Sequence, residues 1–144
     1  MSSMSSYAYI AALEAIAQAK VDVGGIENGR IGIALGSTMG SPKNLEYFFR
    51  QYIASTSVEQ VKAMLFFRIM SNSAAANLAQ ALGVTGRVIS PAAACSSGCQ
   101  AIGLGYETIA FNKQDYMLCG GTDEYHPLVS GTFDQAQFTR RAPK

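Results

Sequence analysis

Three short apolar runs, separated by stretches with helical patterning, constrain this chain most. Arg30-Ile-Gly-Ile-Ala-Leu35, the segment 87–90 within Gly86-Arg-Val-Ile-Ser90, and Asp115-Tyr-Met-Leu-Cys119 are four to six residues long. That length suits a buried strand and falls short of a helix. Between them the spacing changes. Tyr9, Leu13 and Ile16 recur at i, i+4 and i+7 in an alanine-rich stretch, which predicts a helix over 7–20, closed by Gly24-Gly25. Gly36-Ser-Thr-Met-Gly-Ser-Pro42 reads as a turn, and a helix follows through Leu45–Ile53. Ser57-Val-Glu-Gln60 has the form of a capping box and predicts a further helix toward Phe67. Another helix is expected over 72–82, and one from Cys95 to about residue 111. Strands alternating with helices argue an α/β fold on a largely parallel sheet. With 144 residues, 49% of them hydrophobic, the chain is long enough for one domain with its own core.

The chemistry concentrates in the turn Ser90-Pro-Ala-Ala-Ala-Cys-Ser-Ser-Gly98, which runs straight into the helical pattern Gln100–Ala110. Small residues on both sides let other backbone approach the Cys95 sulfur. The free N–H groups and positive dipole end of a helix N-terminus favour thiolate, and can bind the oxyanion formed when it attacks a carbonyl. This context alone leaves open a buried, inert cysteine. Cys99 lies four residues on, but only Cys119 and His126 could extend a ligand set, so no metal site is expected. No Gly-Lys-Ser/Thr follows Gly36-x-x-x-Gly40, so those glycines mark a tight turn and not a phosphate loop, and no cofactor is implied. Asp123 and Glu124 are adjacent, which in extended backbone points them to opposite faces and argues against a carboxylate dyad. Cys119, inside an apolar strand, reads as core.

The segments Ala93-Ala-Cys-Ser-Ser-Gly98 and Lys113-Gln-Asp-Tyr-Met-Leu-Cys-Gly-Gly-Thr-Asp-Glu124 occur in order with Gly36-Ser-Thr-Met-Gly40, Ser71–Gly83 and Gly86–Ser90. Together they resemble the β-ketoacyl-acyl carrier protein synthases, the condensing enzymes of fatty acid and polyketide synthesis, from about residue 7 to the C-terminus. Ala93 departs from the family pattern, where threonine or serine is common. The resemblance implies the N-terminal half of a thiolase-like fold, with layered helices around a mixed, largely parallel sheet, and residues 1–144 as one partial domain. Residues 7–20 already resemble an internal helix, so the first strand and the second half of the family fold are expected to lie outside this sequence. That second half holds the histidine pair, or histidine and asparagine, that decarboxylates malonyl-carrier thioester. The one histidine, His126 in Glu124-Tyr-His-Pro127, matches neither position and reads as a surface-loop residue.

By the same resemblance Cys95 accepts an acyl group from acyl carrier protein and condenses it with a malonyl thioester, with loss of carbon dioxide. Met39 and Phe133 match positions that line the acyl pocket; ordinary packing is the other reading of each. The run Phe133-Asp134, at its spacing from Gly120-Gly121, is nearer the elongating synthases, with a polyketide or polyene synthase left open. Two rivals remain. A non-catalytic, chain-length-factor-type partner would typically have lost the nucleophile, which is present here; a thiolase would use coenzyme A. The implied partners are acyl carrier protein, the malonyl thioester, and a second copy or a complementary C-terminal half.

A net charge of +1 gives no pull toward nucleic acid or anionic membrane. Charged residues make up 15% of the chain, below the ~25% of an average soluble domain, so part of the surface is expected to be covered. No apolar run approaches the ~20 residues of a membrane span, and Met1-Ser-Ser-Met-Ser-Ser6 lacks the parts of a secretion signal. Three cysteines without a scaffold pattern suggest the reducing cytoplasm. Arg140-Arg141 reads as a solvated pair or a contact for an acidic carrier.

Overall fold

The centre of the fold is the strand β1, Ile31–Gly36, buried over all but its first residue. In this computed structural model, which describes residues 1–20 and 28–136, β1 lies between β2, Val88–Ile89, and β3, Tyr116–Gly121. Both neighbours run parallel to it, with Ile33 opposite Val88 and Leu118, and Ala34 opposite Ile89 and Cys119. Parallel neighbours require crossovers, and helices supply them. The full order is α1 (Ser3–Ala19), β1, α2 (Pro42–Ser55), a 3-10 turn at Val58–Gln60, α3 (Ala63–Ile69), α4 (Ser73–Leu82), β2, α5 (Ser97–Ala110), β3 and α6 (Pro127–Gln135). The α/β architecture and the parallel sheet are those expected from the sequence.

Several details differ. α1 begins four residues before the expected start, because the Ser2 hydroxyl accepts from Ser5 N and caps it. It ends at Lys20 in a left-handed conformation; Gly24-Gly25 lie outside the described residues. Its buried stripe is Met4, Ala8 and Ala12, spaced i, i+4, i+8, whereas Leu13 is exposed. The alanines win because their small side chains let α1 lie close against Ala74, Ala75 and Leu78 of α4. Leu78 is almost fully buried there, worth about 2 kcal/mol of transfer free energy. Ser57 does not open one helix toward Phe67. Its hydroxyl takes the amide of Glu59, two residues on rather than three, and so closes a tighter 3-10 turn; α3 then starts separately at Ala63.

α5 crosses the end of the sheet at very short range. A Cβ on Gly36 would stand 2.4 Å from the Ser97 carbonyl oxygen, and one on Gly105 would stand 2.2 Å from the Cys119 sulfur. Glycine at Gly36 allows the start of α5 to sit directly on the end of β1, and Gly105 lets the middle of the helix lie against β3. Cys119 is half-buried at the sheet edge rather than core, and burial pushes its thiol above the ordinary range.

Candidate active site

All three chain segments that leave the C-terminal ends of the parallel strands meet at one cavity of about 300 Å³. The turn after β1 supplies Thr38, Met39 and Gly40, the turn after β2 supplies Cys95, and the chain after β3 supplies Asp123 and Glu124. α6 closes it with Val129 and Phe133. Ligand crevices in α/β sheets form at this end of the strands, because there the loops converge. The structure therefore brings Cys95, Met39 and Phe133, which the sequence could only name one by one, into one cavity.

Cys95 does not begin α5 as expected. Ser96 is the N-cap and Cys95 stands one residue outside the helix, with an exposed thiol. The bend that presents it is made by Ala94, whose φ of 48° lies in the left-handed region that a non-glycine residue seldom occupies. Strain of this kind persists only where the surroundings over-determine it. Here the buried Ser97 hydroxyl accepts from Ala93 N at 2.8 Å and donates to Ala94 O at 2.6 Å, while Ser96 Oγ donates to Ala93 O at 2.7 Å. The first turn of α5 thus holds the Cys95 bend from the inside.

Carboxylates tie the other segments together. Asp123 Oδ1 accepts from Ser37 Oγ at 2.9 Å and from Thr38 N at 3.0 Å, and Oδ2 accepts from Thr38 Oγ1 at 3.0 Å. Thr38 Oγ1 also lies 3.2 Å from Ala94 O. Glu124 is buried and bonds the hydroxyl of Ser41, the N-cap of α2. The two carboxylates take different partners, as adjacent extended residues should, yet both reach the same cavity, and they form no dyad. Sequence reasoning did not single out Thr38, Ser41 or Ser97 for the site. The hydroxyls of Thr38 and Ser41 bond across loops, that of Ser97 within its own turn, and none carries a period; only their place beside the Gly36 and Cys95 turns was a signal.

His126 is not a loop residue at the surface. It is the N-cap of α6, its Nδ1 accepting from Leu128 N at 3.3 Å, and its Nε2 lies 2.9 Å from Glu46 Oε2 on α2. It lines a separate hollow with Leu45, Glu46 and Phe49. Arg50 beside Glu46, and secondarily His126, holds the Glu46 carboxyl below the usual range. Among the described residues no three His, Cys, Asp or Glu side chains gather to hold a metal, and no helix is long and apolar enough to cross a membrane. Arg140 and Arg141 lie outside the described residues.

The family profile described as "Beta-ketoacyl synthase, N-terminal domain" matches residues 1–143. The chain belongs to this family. It is 28% identical over 134 residues to 3-oxoacyl-[acyl-carrier-protein] synthase 1 of Haemophilus influenzae, a match covering 93% of this chain and 33% of that protein. It is 28% identical over 138 residues to the tetracenomycin polyketide synthase ketoacyl synthase alpha subunit of Streptomyces glaucescens, covering 92% and 32%. The crystal structure of a β-ketoacyl synthase from Burkholderia phymatum superposes with a TM-score of 0.82 at 34% identity, over 92% of this chain and 33% of the other. The ketosynthase chain accordingly has the thiolase-like α/β fold, and spans about a third of the length of the curated relatives it matches.

Proposed function

We propose that Cys95 is the acyl-accepting nucleophile of a β-ketoacyl synthase that extends an acyl chain delivered by acyl carrier protein. One observation carries this reading: a free, exposed cysteine on a strained bend at a helix N-terminus opens onto a cavity walled by Met39, Val129 and Phe133. The Cys95 thiolate attacks the carbonyl carbon of the carrier thioester, and the carbonyl π electrons move to oxygen. The N-terminal end of α5 supplies N–H dipoles for that oxyanion. Its collapse expels the carrier thiolate, which takes up a proton, and leaves the acyl group on Cys95. A malonyl-carrier thioester then loses carbon dioxide, and the resulting enolate attacks the acyl-Cys95 carbonyl to release a chain two carbons longer. Met39 and Phe133 form the cavity wall against which the acyl tail lies. Retention of the nucleophile favours this reading over a non-catalytic partner subunit.

The test is a mass measurement. Incubated with a medium-chain acyl-carrier thioester, the protein should gain one acyl group on the peptide containing Cys95, and Cys95→Ala should gain none there. Met39→Gly should shift acceptance toward longer chains by enlarging the cavity. Acylation of Cys99 or Cys119 in place of Cys95 would overturn the assignment, and an unaltered chain-length profile would reduce Met39 to packing.

A further inference from the structure

His126 lies outside the Cys95 cavity, yet two contacts place it where it controls one wall. Its ring spans the short gap between α2 and α6. Nδ1 accepts from Leu128 N, which caps α6, and Nε2 faces Glu46 Oε2 of α2 at 2.9 Å. Imidazole can make both bonds in one state only: the neutral tautomer with hydrogen on Nε2, donating to the carboxylate while Nδ1 keeps its lone pair for the amide. α6 carries Val129 and Phe133 into the cavity, and Pro42 at the start of α2 lines the same cavity. The His126 ring thus joins the two helices that flank one side of the site. Its side chain is only 14% exposed, so the ring is held between the two helices although both of its partners reach solvent.

We propose that His126 is a positioning residue for the Cys95 cavity: as the Nε2–H tautomer it caps α6 and braces it against α2, fixing the wall formed by Val129 and Phe133. The effect on acyl selection rests on the Cys95 reading above; the brace itself does not. Glu46, itself paired with Arg50, is the charged group that faces the ring from α2; the residues around it on α6, Pro127 and Leu128, carry no charge.

Hydrogen exchange followed by mass spectrometry, corrected for intrinsic rates, reads this directly. At pH 8, His126→Ala should speed exchange over residues 128–130 about fivefold, the usual value of a side-chain cap. His126→Asn, which keeps an acceptor in the Nδ1 place, should restore slow exchange. Glu46→Ala should leave that cap intact at pH 8. In the acylation assay His126→Ala should broaden the range of chain lengths taken up by Cys95, and Glu46→Gln, which still accepts from Nε2, should not. Exchange over 128–130 that is indifferent to His126→Ala would overturn the proposal. Absence of acyl transfer in the unaltered protein would instead overturn the Cys95 reading, and the exchange data would still decide for or against the His126 cap.

Discussion

At the scale of single residues, the site rests on one unfavourable backbone angle. Ala94 occupies the left-handed region at a cost of about 1–2 kcal/mol for an L residue. Three hydrogen bonds from Ser96 and Ser97 offset it, and the result is a thiol turned outward at the mouth of the cavity. Ala94→Gly removes the steric conflict but frees the unfolded chain, so the net gain should be about 1 kcal/mol or slightly less. Thermal denaturation should rise by about 3 °C for a chain of this length. The same change loosens the bend, and transfer of an acyl group to Cys95 should slow even as the protein becomes more stable. A drop in melting temperature would mean that the Ala94 methyl makes a contact worth more than the strain it causes.

At the scale of elements, close approach between α5 and the sheet positions Cys95. Gly36→Ala would place a methyl 2.4 Å from a backbone oxygen of Ser97, and backbone cannot step aside as a flexible side chain can. The cost should exceed ~2 kcal/mol, with loss of Cys95 acylation because the start of α5 is displaced. Gly103→Ala, in the same helix but with nothing within 4 Å, should instead stabilise by about 1 kcal/mol, so paired urea titrations separate the two effects. A second expectation concerns the Arg30–Asp115 pair, which joins the starts of β1 and β3. Its hydrogen bond to Arg30 holds the Asp115 carboxyl below the usual range, so the pair contributes above the ordinary carboxylate pKa and is lost as pH falls through the lowered value. Both side chains are about half exposed, so the effect is small and screened by salt. The melting difference between the unaltered protein and Asp115→Asn should be largest at neutral pH in low salt and should shrink as pH falls through the lowered carboxyl value. The sequence made the strands, their parallel order and most helices legible, because apolar runs and 3.6-residue spacing survive in one dimension. It did not reveal which face of α1 is buried, since alanine carries little hydrophobic signal and wins there by closeness. The roles of Asp123, Glu124 and His126 were hidden for a related reason: each bonds a partner about eighty residues away in sequence.

For the whole molecule, the exposed apolar surface and the groups around the Cys95 cavity bear on what the 144 residues do alone. Tyr106 and Phe111 are each at least 70% exposed, and Ile102 and Ile109 on the same helix as Tyr106 are exposed too, in a chain with few charges. Surfaces of this kind mark contact regions, so the 144-residue chain should self-associate, which sedimentation velocity would show as mass rising with concentration. Condensation makes a further demand. Loss of carbon dioxide from a malonyl thioester leaves an enolate whose oxygen must be met by positioned donors at the cavity. The sequence contains one histidine, and its ring is occupied by Leu128 N and Glu46 in a hollow distinct from that of Cys95. These 144 residues should therefore take up an acyl group on Cys95 in a single stoichiometric event and release no carbon dioxide from malonyl-carrier thioester. Radiolabelled carbon dioxide release, measured with this chain alone and with a separately produced C-terminal ketosynthase segment added, distinguishes the two steps. Catalytic release by the chain alone, abolished in His126→Ala, would show that His126 leaves its place between α2 and α6 to serve the reaction, and the brace and the separation of acylation from decarboxylation would fall together.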